Sequence, residues 1–267
     1  MGGISIGPFV LSADRAPVFA GLVVLMLVTW LIGRKTGPAI SLWASGAAIG
    51  AAVSARIGFV MQHASVYLAD PLTVFAFWQG GFSPLWALAG FALVSAWYLW
   101  RTPDMFLQMA GSAVIAFASW NVVHQLVRGT DMAMPETALL LSLGGDPVAV
   151  ESVQGRPMVI NLWATWCPPC RREMPMMADV AAMQTGADLH FVNQGESAEA
   201  VRRYLSQAGI ILSPVLDPGS EMMRHFGALG LPTTLFIDAS GQLSAAHMGE
   251  ISRAQLLAAI QNLKDSN

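Results

Sequence analysis

The chain has 267 residues, of which 54% are hydrophobic and only 12% are charged, whereas an ordinary soluble protein carries about 25% charged residues. Residues 1–130 contain nine charged side chains and residues 131–267 contain the other 22, so only the second part has the composition of a soluble domain. That part is acidic, with 14 acidic and 8 basic residues. It offers no basic surface for phosphates, which argues against a nucleic-acid partner.

Four apolar stretches in residues 1–130 predict membrane-spanning helices. A span takes roughly 20 apolar residues, and about 17 still suffice. Arg34 and Lys35 follow the first stretch instead of preceding it, which argues against a signal peptide. We therefore expect an α-helical bundle in contact with the lipid bilayer, with spans at residues 18–32, 40–60, 84–100 and 105–127.

Basic residues in the short loops indicate the orientation of these spans. Arg34 and Lys35 lie between the first two spans and Arg101 lies between the last two, whereas residues 61–83 contain neither Lys nor Arg. The positive-inside rule places the three basic residues in the cytoplasm. Residues 131–267 are then expected outside the cytoplasm.

The second predicted span carries two further features. Gly46, Gly50 and Ser54 are four residues apart, a spacing of small residues that favours close helix packing in lipid. Arg56 lies in the same span. Two interpretations stay open: its side chain faces the bundle interior, or it extends to the outer headgroups.

Residues 17–127 resemble the N-terminal part of prolipoprotein diacylglyceryl transferase. The resemblance is carried by Ala55-Arg56-Ile57-Gly58-Phe59-Val60, Leu68-Ala69-Asp70-Pro71-Leu72 and Trp78-Gln79-Gly80-Gly81-Phe82-Ser83. That family continues with His-Gly-Gly-Leu, where this chain has Leu85-Trp86-Ala87-Leu88, so the family's catalytic His is missing. Because leucine cannot transfer a proton, the resemblance implies a transferase-like scaffold without transferase activity.

In residues 131–267, short apolar runs alternate with helical patterns. The predicted strands are residues 157–163, 188–192, 233–238 and 243–248, and the predicted helices are residues 168–183, 197–207, 220–226 and 252–263. This order predicts an α/β domain around a central mixed sheet. We expect a membrane domain at residues 1–130 and the α/β domain at residues 131–267.

The two cysteines of the chain, Cys167 and Cys170, lie at the predicted junction of a strand and a helix. A helix N-terminus presents free N–H groups and a partial positive charge, both of which favour the nucleophilic thiolate. We expect Cys167 to be the exposed nucleophile and Cys170 to be a more buried thiol that resolves the mixed disulfide.

Other uses of this cysteine pair are disfavoured, although two buried inert thiols stay possible. A purely structural disulfide would gain little because it closes so small a loop. Zinc would need further ligands at matching spacing, and the remaining histidines of this part are scattered at His190, His225 and His247. We expect no metal and no cofactor.

Residues 136–265 resemble the thioredoxin superfamily, most closely the TlpA/ResA-like branch of exported, membrane-anchored reductases. The carrying residues are the run 161–175, which contains Trp166-Cys167-Pro168-Pro169-Cys170, and the segment Gly230-Leu231-Pro232-Thr233-Thr234-Leu235-Phe236-Ile237-Asp238. The resemblance implies a cis bond before Pro232 beside the cysteines, the alternative being a trans proline that opens a strand.

The same resemblance implies roles for four further residues and a location. A cis Pro232 would free backbone groups of Leu231 for a substrate strand, and Trp166 would shield the active-site face. Glu173 would tune the pKa values of the cysteines, the alternative being a solvated surface acid. The location implied is the bacterial inner membrane, with this domain in the periplasm or at the cell exterior.

The direction of electron flow stays open at this point. Pro168 and Pro169 have no N–H to donate to a Cys167 thiolate, which favours a reductase of exported proteins over an oxidase or isomerase. A lipid transferase with a redox appendage and a non-catalytic scaffold are further alternatives. Residues 1–130 contain no cysteine, so a separate membrane electron donor of the DsbD or CcdA type is expected.

Overall fold

The chain divides into two compact units in the computed structural model. The helical unit comprises Ala13–Arg128, and the C-terminal unit comprises Gly129–Asn267 together with Met1–Ser12. The boundary expected near residue 130 lies outside the described residues. The structure describes residues 4–6, 9–11, 15–69, 71–127, 132–135, 139–149, 156–183 and 185–265.

Four long helices form at the four expected positions of the helical unit, with α1 packed on α5 and α2 packed on α4. They are α1 (Ala16–Thr36), α2 (Ala39–Gln62), α4 (Pro84–Arg101) and α5 (Phe106–Val127), with the short α3 (Ala64–Ala69) after α2. Short 3-10 helices lie at Pro71–Phe75, Phe77–Gln79 and Pro103–Met105. The first two of these lie in the connection between α2 and α4.

Among the residues that the structure describes, three helical stretches are long and apolar enough to cross a membrane: Ala16–Thr36, Ala39–Gln62 and Pro103–Leu126. The third expected span also forms a helix, α4, which is less apolar than these three, so the helix count agrees roughly with the four expected spans. Its second half carries Trp97, Tyr98, Trp100 and Arg101, which lower its mean hydropathy.

Small residues bring α2 and α4 into close contact, which confirms the packing prediction for Gly50 and Ser54. A Cβ atom at Gly90 would lie 2.4 Å from the Gly50 carbonyl oxygen and from the Ser54 hydroxyl. A Cβ atom at Gly58 would lie 2.0 Å from Cγ of Trp86. Gly46 contributes less, because its Cβ would lie 3.7 Å from Val94, an ordinary contact distance.

The strands form two sheets. A hairpin pairs β1 (Ile4–Ile6) with β2 (Phe9–Leu11), and a five-stranded mixed sheet has the order β5-β4-β3-β6-β7. Strands β3, β4 and β5 are parallel, whereas β6 and β7 are antiparallel to their neighbours. The elements of this part are β3 (Met158–Trp163), α6 (Pro168–Ala182), β4 (Asp188–Gln194), α7 (Ala198–Ala208), β5 (Val215–Asp217), α8 (Glu221–His225), β6 (Thr233–Ile237), β7 (Leu243–Met248) and α9 (Arg253–Asp265).

The mixed sheet confirms the expected fold class, and β5 is the one strand of this sheet that the sequence did not predict. Its three residues are too few for a periodicity to be seen, and it is held at the edge by pairing with β4. Ser197 caps α7, since its side chain accepts a hydrogen bond from the N–H of Ala200.

The sheet lies between two apolar clusters, and the central strand β3 is buried along its whole length. Successive side chains of a strand point to opposite faces. Val159 and Trp163 join the cluster that contains both cysteines, whereas Ile160 and Leu162 join the other. Asn161 is in step with Val159 and Trp163, so its polar side chain points toward the cysteine side of the sheet.

Candidate active site

The two cysteines are disulfide-bonded at the start of α6. The S–S distance is 2.08 Å and the Cα atoms are 5.3 Å apart. Cys167 is the N-cap residue of α6, with extended backbone, and Cys170 lies in the first turn. Four residues separate the end of β3 from the helix, so the site lies at the strand-to-helix junction that the sequence predicted.

The burial of Cys167 corrects one expectation. Cys167 is the more accessible of the two cysteines, but it is only 3% exposed, and Cys170 is 0% exposed. Both side chains belong to the apolar cluster on this side of the sheet, which covers the disulfide. The exposed side chain at this position is the neighbouring Trp166, at 68%.

One backbone donor of α6 reaches the sulfur of Cys167. The N–H of Cys170 donates to Cys167 Sγ at 3.3 Å. Pro168 and Pro169 occupy the first two helical positions, where proline is tolerated because its missing N–H would have no intrahelical partner. Because both residues are prolines, two of the N–H donors that a helix N-terminus would otherwise offer to a thiolate are missing.

Glu173 lies one helical turn beyond Cys170 and is buried, at 2% exposure, so the alternative of a solvated surface acid is wrong. Its Oε1 accepts from Asn161 Nδ2 at 2.9 Å, and its Oε2 accepts from the N–H of Ile251 at 3.0 Å. Burial raises the pKa of Glu173 from 4.5 to about 7, although both hydrogen bonds and Arg172 oppose the rise. The carboxyl therefore changes charge near neutral pH.

Asn161 also belongs to the site, although the sequence indicated it only as the first residue of the run 161–175. Its Nδ2 atom also lies 3.3 Å from Thr234 Oγ1 on β6, whereas its Oδ1 atom is buried without a hydrogen-bond partner in the described structure. The sequence signal for Asn161 was its position as a polar residue in the middle of an apolar strand, because a buried polar group normally has a hydrogen-bond partner.

Glu196 is a second residue that the sequence reasoning missed. Its carboxylate accepts from the N–H of Thr165 at 2.6 Å, from Thr165 Oγ1 at 2.5 Å and from Asn193 Nδ2 at 2.8 Å. Thr165 lies two residues before Cys167, so the β4–α7 loop holds the segment that leads into the site. A single acid in a loop gives no sequence signal of such a contact.

The peptide bond between Leu231 and Pro232 is cis, as the resemblance implied. Pro232 is buried, and its carbonyl accepts from the N–H of Gly249 at 2.8 Å. Leu231 is half-buried and packs against the apolar cluster that contains Cys167 and Cys170. Leu231 also packs against the cluster on the other face of the sheet, so this segment contacts both clusters, including the one that contains the cysteines.

The three histidines of this unit have separate environments. Burial lowers the pKa of His190, His225 contacts the carbonyl of Ala133, and His247 contacts the carbonyl of Glu250. In the parts of the chain that the structure describes, no group of three or more His, Cys, Asp or Glu side chains is arranged to hold a metal ion.

Comparison with known proteins assigns the part of the chain that carries this disulfide. Residues 130–260 match the family model described as Redoxin. The C-terminal half of the chain is a Redoxin domain. It is homologous to proteins named thiol-disulfide oxidoreductase ResA, and the relative from Halalkalibacterium halodurans is 28% identical over 135 residues, which cover 50% of this chain and 76% of that protein.

Two further proteins resemble the Redoxin domain. The ResA protein of Geobacillus thermodenitrificans is 26% identical over 169 residues, which cover 61% of this chain and 94% of that protein. A solved thiol:disulfide interchange protein of the thioredoxin family, from Chlorobium tepidum, is 30% identical over 51% of this chain and 97% of its own, with a TM-score of 0.44.

The helical unit matches a different family. Residues 16–124 match the model of prolipoprotein diacylglyceryl transferase, in agreement with the resemblance found in the sequence. Leu85, which stands in place of that family's catalytic His, is exposed in the first turn of α4. Asp70 of the matching segment lies outside the described residues.

Proposed function

We propose that this protein is a membrane-anchored thiol–disulfide oxidoreductase that reduces disulfides of exported proteins through Cys167 and Cys170. The observation that carries the proposal is that one N–H of the described residues, that of Cys170, reaches the Cys167 sulfur. A site that stabilises its thiolate weakly gives up electrons readily, because its oxidised form is then the favoured one. Two prolines in the first turn of α6 support this direction over oxidation or isomerisation of the client.

The reaction proceeds in two exchanges. The Cys167 thiolate of the reduced site attacks one sulfur of a client disulfide, whose S–S bond breaks and releases a client thiolate. Cys170 then gives up its proton and attacks Cys167 Sγ in the mixed disulfide, which releases the second client thiolate. The client gains two electrons, and the site is left as the Cys167–Cys170 disulfide seen in the structure.

Glu173 serves in this scheme as the proton acceptor for Cys170. It lies one helical turn away, on the same face of α6, and it is buried on the same side of the sheet. A group whose pKa is about 7 can both take and release a proton near neutral pH. Burial of the carboxyl thus supplies the property that an exposed glutamate would not have.

The client is proposed to bind at the surface formed by Trp166 and the Leu231–Pro232 segment. Trp166 is largely exposed although it is a large aromatic side chain, and such residues are typical of binding surfaces. Leu231 is half-buried against the cluster that contains the cysteines. A client segment that lies along residues 231 and 232 would come close to the disulfide.

We further propose that the helical unit anchors the Redoxin domain in the bacterial inner membrane. The three helical stretches long enough to cross a membrane support the anchor. If α4 crosses the membrane as the fourth span, Arg34, Lys35 and Arg101 all lie on one side, and the positive-inside rule then supports a Redoxin domain that faces the periplasm or the cell exterior. Because both cysteines of the chain are in the site, the electrons would come from a separate dithiol membrane protein of the DsbD or CcdA type.

The test is the reduction potential of the full chain in detergent, measured by equilibration with defined thiol buffers and alkylation of the free thiols. A potential close to that of thioredoxin, about −270 mV, supports reduction of clients, and a value near about −120 mV would show an oxidase. Cys170→Ser should accumulate a mixed disulfide with a client on a non-reducing gel. Cys167→Ser is the matched control and should form none.

A further inference from the structure

The segment that connects α2 to α4 (residues 63–83) carries an unusual surface. Six large apolar side chains within 15 residues are between 44% and 81% exposed: Leu68, Leu72, Phe75, Phe77, Trp78 and Phe82. The described part of residues 129–267 exposes five such side chains over its whole length. The connecting segment thus resembles the exposed faces of the long helices, such as Leu107 and Val114 of α5, more than it resembles a surface in water.

Arg56 binds the backbone of this segment. The sequence left open whether its side chain faces the bundle interior or extends to the outer headgroups. Its Nε donates to Val74 O at 3.0 Å and its Nη2 to Thr73 O at 2.8 Å, and its Nη1 donates to the carbonyls of Gly80 at 2.7 Å and Gly81 at 3.1 Å. The side chain therefore turns toward the segment that connects α2 to α4. It binds four carbonyls of the chain's own connecting segment.

Two neighbouring contacts depend on the same arrangement. The Arg56 guanidinium lies 5.4 Å from the ring centre of the buried Tyr67 and 5.9 Å from that of Phe82. Gly81 has φ +84°, and a Cβ atom there would lie 2.7 Å from Arg56 Nη1. Glycine is required at this position by both the backbone conformation and the close approach of Arg56.

Such an arrangement solves a specific problem of irregular backbone in lipid. Backbone carbonyls that lack a hydrogen-bond partner are costly where no water is present, so non-helical segments enter a membrane only when their polar groups are satisfied by protein. Trp is enriched at the boundary between headgroups and acyl chains, and Phe and Leu occur with it on the apolar faces of elements that lie in that boundary. This segment supplies Phe75, Phe77, Trp78 and Phe82. Asp70 is the one Asp, Glu, Lys or Arg residue in the sequence of this segment.

We propose that residues 63–83 form a membrane-interfacial element whose exposed apolar side chains insert into the headgroup–acyl boundary of the leaflet at which α2 ends and α4 begins. The exposed side chains contact the lipid bilayer, because the segment continues directly from α2, a helix long and apolar enough to span a membrane. Arg56 holds the backbone in the folded form that can lie in that boundary. The inference rests on the membrane anchoring proposed above.

The test is the depth of a spin label at residue 77 in the full chain. Phe77→Cys is made with Cys167→Ser and Cys170→Ser, labelled, and reconstituted in phosphatidylethanolamine–phosphatidylglycerol vesicles. Accessibility to oxygen, which concentrates in lipid, is compared with accessibility to a water-soluble nickel chelate. Val114→Cys on α5 is the lipid control, and Gln207→Cys, exposed on α7, is the water control.

The oxygen-to-nickel accessibility ratio at residue 77 is expected to lie closer to that of the Val114 control than to that of the Gln207 control. A ratio equal to that at residue 207 would overturn the proposal, and so would protection from both reagents, which would mean that protein covers the segment. A ratio at residue 114 equal to that of the water control at residue 207 would instead refute membrane anchoring itself. Arg56→Lys, which cannot span four carbonyls, should lower the ratio at residue 77, and an unchanged ratio would refute the role of Arg56.

Discussion

Replacement of Glu173 by glutamine should remove most of the pH dependence of stability that this site gives to the Redoxin domain. The carboxyl is buried and has a pKa of about 7, against 4.5 when it is free in the unfolded chain. Between these values the folded protein holds a proton that the unfolded chain has lost. The contribution of Glu173 to the free energy of unfolding therefore falls as pH rises from about 4.5 to about 7, and this contribution is constant on either side of that range.

The size of the effect follows from the shift. One pKa unit corresponds to about 1.4 kcal/mol, so the rise from 4.5 to about 7 lowers the free energy of unfolding by roughly 3 kcal/mol across the range. Glutamine has nearly the same shape and does not titrate. It can be accommodated if the amide of Asn161 turns over, because the buried Oδ1 of Asn161 could then accept from the glutamine Nε2.

Hydrogen exchange of the β3 amides in the oxidised full chain is a suitable assay. The central strand Met158–Trp163 is fully buried, so its slowest amides report the opening of the Redoxin domain without unfolding of the membrane helices. The difference in opening free energy between Glu173→Gln and the wild type should grow by roughly 3 kcal/mol from about pH 4.5 to about pH 8.

The matched control is Glu199→Gln, which removes an exposed carboxylate from α7 and should leave the pH dependence of the wild type intact. Equal slopes for Glu173→Gln and the wild type over this pH range would refute the assignment of a raised pKa to Glu173. They would also remove the reason to propose Glu173 as the proton acceptor for Cys170.

Two further predictions concern the partner of Glu173 and the helical unit. Asn161→Leu removes a hydrogen bond that stabilises the charged carboxylate, so the pH-dependent fall in β3 protection should move to higher pH; a midpoint that is unchanged or lower would contradict this reading. Gly58→Ala places a methyl group against the Trp86 ring and should lower the thermal midpoint in detergent, by an amount equivalent to about 1–3 kcal/mol of overpacking. The control for Gly58→Ala is Gly111→Ala on α5, because a Cβ there meets nothing within 4 Å and alanine favours the helix. Equal effects of the two substitutions would show that α2 and α4 do not pack closely.

Local sequence patterns determined the main elements of this protein and its redox site. Apolar runs of 15 residues or more located the four long helices, and alternating strands and helices located four of the five strands in the mixed sheet. The Cys-Pro-Pro-Cys spacing placed a thiol pair at a strand-to-helix junction, because the first turn of a helix is a local property of the chain. The small residues Gly50 and Ser54 likewise marked the side of α2 that packs closely.

Contacts between residues distant in the chain were decided only by the tertiary structure. Glu173 could not be identified as buried from the sequence, because its environment is made by Asn161 on β3 and Ile251 before α9. The partner of Gly50 is Gly90, 40 positions further along the chain. Arg56 had two open interpretations because the carbonyls that it binds come together only when residues 63–83 fold back on α2.

The redox site shows the division between the two sources of information. The sequence by itself predicted which atoms would exchange electrons, since the two sulfurs of the chain lie three residues apart. The tertiary structure determined what surrounds them: the burial of Cys167 and Cys170, and a carboxyl whose pKa is raised because the fold removes it from water. Burial depends on every element packed around a group, and for that reason no local pattern could supply it.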